Sequence, residues 1–184
     1  MKKETRKRVA ILVADGFEQV ELTGPRNALI GEGFATDIVS SNPRSVKAMV
    51  HDRGGRILPV DVPLSRARPV GYDALLLPGG VKNPDALRLE SRAVRFVRAF
   101  FKARRPVTAI CHGPIMLIEA GVLRGRQLTS FPSIKTDIRN AGAKWVNRPV
   151  VVDRALVSSR KPSDIPSFNR EMLRVFGPNG KRKA

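Results

Sequence analysis

The residues best suited to chemistry converge on one short stretch. A single cysteine, Cys111, ends the apolar run Val107-Thr108-Ala109-Ile110, and His112-Gly113-Pro114 follows before the helix-like Ile115-Met116-Leu117-Ile118-Glu119-Ala120. A strand, a sharp turn and a helix in that order lift a nucleophile to the end of a sheet and aim a helix N-terminus at it. Such a setting favours the thiolate, the reactive form of cysteine. Elsewhere a cysteine is often only a small buried hydrophobe; here its position argues for a nucleophile. His112 adjoins it and suits a base or proton shuttle. An imidazole in that role wants a third group to orient it, and Asp85 is the nearest acidic candidate by topology, unless it is simply a surface residue at a helix start.

Glu18 carries two readings. With Asp15 it matches the spacing of a capping box, in which it serves only the start of a helix. Alternatively it reaches Cys111 as a protonated carboxyl that donates to the sulfur, since a carboxylate and a thiolate side by side must share one proton. The Gly79-Gly80 pair is either a plain turn or the backbone of an oxyanion hole, the Gly80 and His112 N–H groups converging on a substrate carbonyl. His51 sits in a polar hairpin and reads as surface. Two isolated histidines and one cysteine have no metal-ligand spacing, so neither a metal nor a cofactor is expected.

These residues need elements to position them. Val9 to Ala14 reads as a strand buried on both faces, and a helical pattern after Phe17 ends at Gly31-Glu32-Gly33. Phe34 to Ser40 and Asp73 to Leu77 read as strands, and His51 to Gly55 as a hairpin turn. Ser91 to Phe101 places Ala93, Val94, Val97, Phe100 and Phe101 on one helical face, with Arg92, Arg95 and Arg98 outside it. After the Cys111 stretch come a short strand at Gln127-Leu128-Thr129 and a helix over Pro132 to Asn140. Strands then follow at Trp145-Val146, Val150 to Val152 and Ala155 to Val157, and a last amphipathic helix covers Asp164 to Phe176. Alternating strands and helices predict an α/β sandwich with a mostly parallel sheet. Ligand sites in such sheets lie beyond the carboxyl ends of the strands. The turns after Ala14, Leu77 and Ile110 all fall there, which merges three motifs into one candidate site.

The 184 residues suit one domain, read as residues 9–177, between a basic arm at 1–8 and a basic tail at 178–184. One cysteine excludes an internal disulfide. The apolar run after the basic N-terminus is too short for a secretion signal, and no stretch is long enough to span a membrane, so a cytoplasmic protein is expected. The formal charge of +18 is spread along the chain. It would draw nucleic acid weakly and in a salt-dependent way, but no nucleic-acid motif accompanies it.

Four segments carry a resemblance: Ala14-Asp15-Gly16-Phe17-Glu18, Leu77-Pro78-Gly79-Gly80 with Asn83-Pro84-Asp85, Ala109-Ile110-Cys111-His112-Gly113-Pro114, and Leu128 to Lys135. Together they resemble the PfpI family, in the superfamily of the parkinsonism-associated deglycase, related to class I glutamine amidotransferases. The resemblance implies a flavodoxin-like three-layer sandwich assembled as a homodimer or hexamer, with Cys111 as nucleophile on a strained elbow, Glu18 bonded to it and His112 beside it. In the protease branch a neighbouring subunit supplies an acid. Asp85 matches that position, although that branch has Glu there. Gln19 and Asp153-Arg154 also depart from the common pattern. The implied activity is a stress-response one on reactive carbonyls, as a glutathione-independent glyoxalase or a deglycase of early glycation adducts. Its substrate would be a small carbonyl compound or a glycated protein. An ATP-independent cysteine peptidase acting on unfolded protein, and a redox sensor or chaperone working through oxidation of Cys111, are the alternatives.

Overall fold

The computed structural model describes residues 6–177. In chain order it begins with strands β1 (Arg8–Leu12) and β2 (Phe17–Glu18), helix α1 (Gln19–Gly31), and strands β3 (Ala35–Ser40), β4 (Ser45–Val50), β5 (Arg53–Pro59) and β6 (Val62–Pro63). Next come β7 (Ala74–Leu77), α2 (Lys82–Arg88), α3 (Ser91–Lys102), β8 (Val107–Ile110) and α4 (Ile115–Glu119). They are followed by β9 (Gln127–Leu128), α5 (Lys135–Asn140), β10 (Lys144–Trp145), β11 (Val150–Asp153), β12 (Leu156–Ser159) and α6 (Ile165–Phe176).

A seven-stranded sheet runs in the order β11-β12-β8-β7-β1-β3-β6. Its pairs are parallel except β11–β12, a hairpin turning at Arg154-Ala155. Successive strand residues point to opposite faces, so one strand feeds two cores. Ala10 and Leu12 of β1 pack into a layer with Val97 and Phe100 of α3 and Leu117 of α4. Val9 and Ile11 pack into another with Leu22 and Leu29 of α1 and Phe168 and Met172 of α6. This is the α/β sandwich that the alternation of elements predicts, in the three layers that the resemblance implies. The apolar stripe of α3 is buried as expected except at the half-buried Phe101, and Phe96 widens it, meeting the Tyr72 ring edge-on at 6.1 Å.

Three features differ from expectation. The β4–β5 hairpin turns over His51-Asp52 alone, with His51 at φ 57, while Arg53, Gly54 and Gly55 already belong to β5. Phe17 and Glu18 form a short strand beside β4, making a separate three-stranded sheet. The capping box is not formed. Asp15 instead accepts the Lys47 N–H at 2.7 Å, and Glu18 makes no capping bond to α1. Of the basic arm, Arg8 starts β1 and its guanidinium pairs with Asp37 at 2.8 Å, so the fold begins before residue 9. The outer arm and the tail lie outside the described residues. No helix among the described residues is long and apolar enough to cross a membrane.

Candidate active site

β8, β7 and β1 are neighbours at the middle of the sheet, and the loops leaving their carboxyl ends meet. Cys111 follows β8 directly and adopts φ 60. A side chain in this left-handed region costs on the order of 1 kcal/mol, and such strain persists only where the surroundings over-determine it. Here they do: the Cys111 N–H donates to the Ser159 carbonyl at 3.0 Å, and its carbonyl accepts the Phe131 N–H at 2.9 Å.

Glycine lets the second loop come close. A Cβ on Gly79 would lie 2.5 Å from Glu21 Oε2 and 2.7 Å from Cys111 Cβ. Gly80, at φ 81, packs against the backbone of Gly16, Phe17 and Glu18. The buried Asn83 side chain ties the loops together. Its amide donates to the Pro78 and Gly79 carbonyls at 2.9 and 3.0 Å, and its oxygen accepts the Ala14 N–H at 2.7 Å. Asn83 belongs to a motif visible in the sequence, but nothing about its spacing announced this positioning task.

The carboxyl against the thiol is Glu21, not Glu18. Glu21 lies in the first turn of α1 and is fully buried. Its Oε2 accepts the Gly79 N–H at 2.9 Å, and its carboxyl lies against the Cys111 side chain. Its Oε1 is buried without a partner of regular hydrogen-bond geometry. Burial pushes the Glu21 pKa up to about 8, against the opposing pull of the Cys111 and Gly79 contacts. It therefore carries a proton at neutral pH. Glu18 faces elsewhere because β2 pairs it with β4, and its Oε2 accepts the His51 N–H at 2.9 Å. The three-residue step to Glu21 spans the change from strand to helix, and that change turns the later carboxyl inward.

The thiol is also less acidic than its place in the sequence implies. α4 has only five residues, and burial, then the neighbouring Glu21, push the Cys111 pKa up. The Gly80 and His112 N–H groups reach the sulfur and oppose that rise. These are the two donors expected to face a substrate oxygen, and in this resting arrangement they face the sulfur. The Gly79 N–H is already taken by Glu21, so it is not available to an oxyanion.

His112 stands beside the sulfur, Nδ1 3.2 Å from Sγ, and its Nε2 lies 3.0 Å from Ser133 Oγ. Its ring stacks on Phe131 with centroids 4.9 Å apart. Burial lowers its pKa, which favours the neutral imidazole. If Nε2 carries the proton and donates to Ser133, Nδ1 is free to accept from the thiol. Ser133 thus fills, within one chain, the orienting position assigned to Asp85. Asp85 is exposed on the first turn of α2, with no bond to His112. Ser133 lies in the Leu128–Lys135 motif, but a serine in a turn gives no signal by itself.

An α/β sandwich with a cysteine on a strained strand-to-helix elbow, a buried protonated carboxyl against it and a neutral histidine beside it defines a class of cysteine-centred proteins. The chain belongs to the DJ-1/PfpI family, whose model matches residues 7–175. It is 42% identical over 172 residues to protein/nucleic acid deglycase 2 of Escherichia coli, covering 93% of this chain and 98% of that one. It is 45% identical over 169 residues to a deglycase of Pyrococcus abyssi, covering 92% and 99%. Among solved structures it is similar to a two-domain protein of Anabaena variabilis with DJ-1/ThiJ/PfpI-like and ferritin-like domains. That match has a TM-score of 0.88 at 34% identity, over 97% of this chain and 52% of the other. Drosophila melanogaster DJ-1beta matches with a TM-score of 0.84 at 26% identity, over 97% and 94%.

Proposed function

We propose that this protein is a deglycase-type enzyme that uses Cys111 to attack the carbonyl carbon of reactive aldehydes or of their early adducts with protein. The observation that carries this reading is the proton path around the sulfur: Sγ to His112 Nδ1 at 3.2 Å, and His112 Nε2 to Ser133 Oγ at 3.0 Å, with the buried Glu21 carboxyl against the thiol. Relatives named deglycase at 42 and 45% identity support it.

In the first step Sγ forms a bond to the carbonyl carbon while its proton passes to His112 Nδ1. The carbonyl π pair moves onto oxygen, which takes a proton from Glu21 or from the imidazolium. The product is a neutral hemithioacetal, with no atom gained or lost. Passing the thiol proton to a neighbouring base only at the moment of attack keeps the resting cysteine neutral and makes it reactive only with substrate in place. With an amine adduct, the amine leaves as the thiol takes its place on that carbon. The C–H proton of the hemithioacetal then moves through an enediol to the adjacent carbonyl carbon, giving a thioester of a 2-hydroxy acid with no external oxidant. Water hydrolyses the thioester to the acid and returns the thiol.

A peptidase reading requires an acid on His112. Ser133 occupies that position within the chain, so Asp85 would have to come from a neighbouring subunit. The deciding experiment follows amine release from a methylglyoxal-treated lysine derivative without glutathione. Turnover by wild type and none by Cys111→Ala is expected, and equal turnover by both would refute the proposal.

A further inference from the structure

At the opposite end of the sheet from Cys111, the starts of β8 and β12 border a cavity of 440 Å³ lined by Arg104, Arg105, Arg126 and Arg154 with Phe101 and Leu156. Three pieces of chain build it: the end of α3 and its turn into β8, the loop before β9, and the β11–β12 turn. Two of the arginines are held against backbone preference. Arg104 is at φ 54 and Arg154 at φ 58, a region that glycine or asparagine enters more cheaply. Both strained positions place a guanidinium on the same cavity.

The positive charge there is under-compensated. Asp153 pairs with Arg154 at 2.9 Å and also accepts the Gln127 N–H at 2.9 Å. Arg105 donates to the Pro69 and Tyr72 carbonyls at 2.6 and 2.8 Å. Arg126 donates through Nε to the Val122 carbonyl at 2.9 Å and lies over the Phe101 ring at 4.9 Å. Among the described residues neither Arg104 nor Arg126 forms a salt bridge, although the Asp153 charge, shared with Arg154, also acts on Arg126. Burial and the like charge of Arg154 lower the Arg126 pKa, and the Asp153 carboxylate offsets them only in part.

We propose that this cavity binds a small phosphorylated molecule of mononucleotide size. Its phosphates would lie on the Arg104, Arg126 and Arg154 guanidiniums, and its uncharged part against Phe101 and Leu156. Guanidinium forks match phosphate oxygens two at a time, and several cations with one carboxylate call for at least two negative charges, which a diphosphate supplies. The volume falls within the range of small-molecule pockets and is far too small for a duplex. Six residue steps, running through β8, separate Arg105 from Cys111, about 20 Å of extended chain. Binding here is therefore independent of the carbonyl chemistry.

The test is calorimetric titration of the full chain at low salt with ADP as probe, and with adenosine, pyrophosphate and a short DNA duplex as comparators. ADP is expected to bind one-to-one and adenosine not at all. Arg104→Gly combined with Arg126→Gln should weaken ADP roughly tenfold or more while leaving adduct turnover unchanged. Arg104→Gly combined with Arg154→Gly, both suited to the left-handed backbone, gives the same readout if Arg126→Gln fails to fold. ADP affinity unaffected by either pair would overturn the proposal. So would heat from the duplex alone with a steep salt dependence, which would leave only a diffuse charge effect. Pyrophosphate binding as tightly as ADP would remove the role given to the apolar wall.

Discussion

At the carboxyl end of the sheet, Cys111 is held at φ 60 with its backbone N–H and carbonyl both bonded and its side chain buried. At the amino end, Arg104 and Arg154 hold nearly the same backbone angle on exposed turns. The two ends share a strained geometry and differ in what sustains it. Around Cys111, hydrogen bonds from β12 and the Phe131 loop impose the conformation, so the strain belongs to the scaffold. Around the arginines the turn would be relaxed by glycine, so the strain belongs to the side chain. The ends differ in charge as well. One hides a carboxyl and a thiol that stay neutral, whereas the other gathers permanent cations.

The most severe way to break the comparison is Cys111→Ala. Adduct turnover should fall on the order of 10³-fold or more, while the arginine-end variants keep wild-type rates. Next, Glu21→Gln should cost about 10²-fold or more, because the amide cannot move a proton. Glu18→Gln, whose amide oxygen still accepts the His51 N–H, should stay within about twofold. Equal losses in the two variants would return the catalytic carboxyl to Glu18.

Stability against pH sharpens the same assignment. With its folded pKa near 8 and its ordinary value at 4.5, Glu21 keeps in the native state a proton that the unfolded chain releases. Its contribution is therefore full below pH 4.5, falls as pH rises towards 8 and is flat above that, with a steepest slope of about 1.4 kcal/mol per pH unit. His112, with its lowered pKa, acts in the opposite sense through the histidine range. Denaturant midpoints of wild type and Glu21→Gln at several pH values isolate the Glu21 part. Parallel curves would show that this carboxyl ionises normally.

Ser133→Ala removes one hydrogen bond from His112, worth about 1 kcal/mol, so turnover should fall roughly fivefold. The smallest effect is at the other end. Arg154→Gly should leave the melting temperature unchanged or raise it, with a gain of up to about 1 kcal/mol from relieved strain against a weak exposed ion pair. Cys111→Gly should show no such gain. A lower melting temperature for Arg154→Gly would mean that the scaffold sustains the strain at both ends alike.

The Cys111 elbow was readable because an apolar β-branched run, a lone cysteine and His-Gly-Pro announce strand, elbow and turn without help from distant residues. The convergence of the three loops was readable too, since a parallel sheet brings all strand carboxyl ends to one edge. Glu21 was not readable. Its carboxyl stands one turn into an otherwise apolar helix face, and Glu18, closer to the turn, matched the spacing equally well. Choosing between them required β2 to pair with β4, a contact between residues about 30 positions apart. Ser133 and Asn83 were hidden for the same reason, because a serine or asparagine at the start of a helical segment acquires a distant partner only when another loop folds onto it.

Local pattern thus determined most of the elements, the cysteine elbow and the edge where it stands. Tertiary packing decided which carboxyl is buried against the sulfur, that burial raises the thiol pKa despite the short helix behind it, and that four arginines from three separate stretches of chain share one cavity. Burial and long-range pairing set these outcomes, and neither is a property of any segment taken alone.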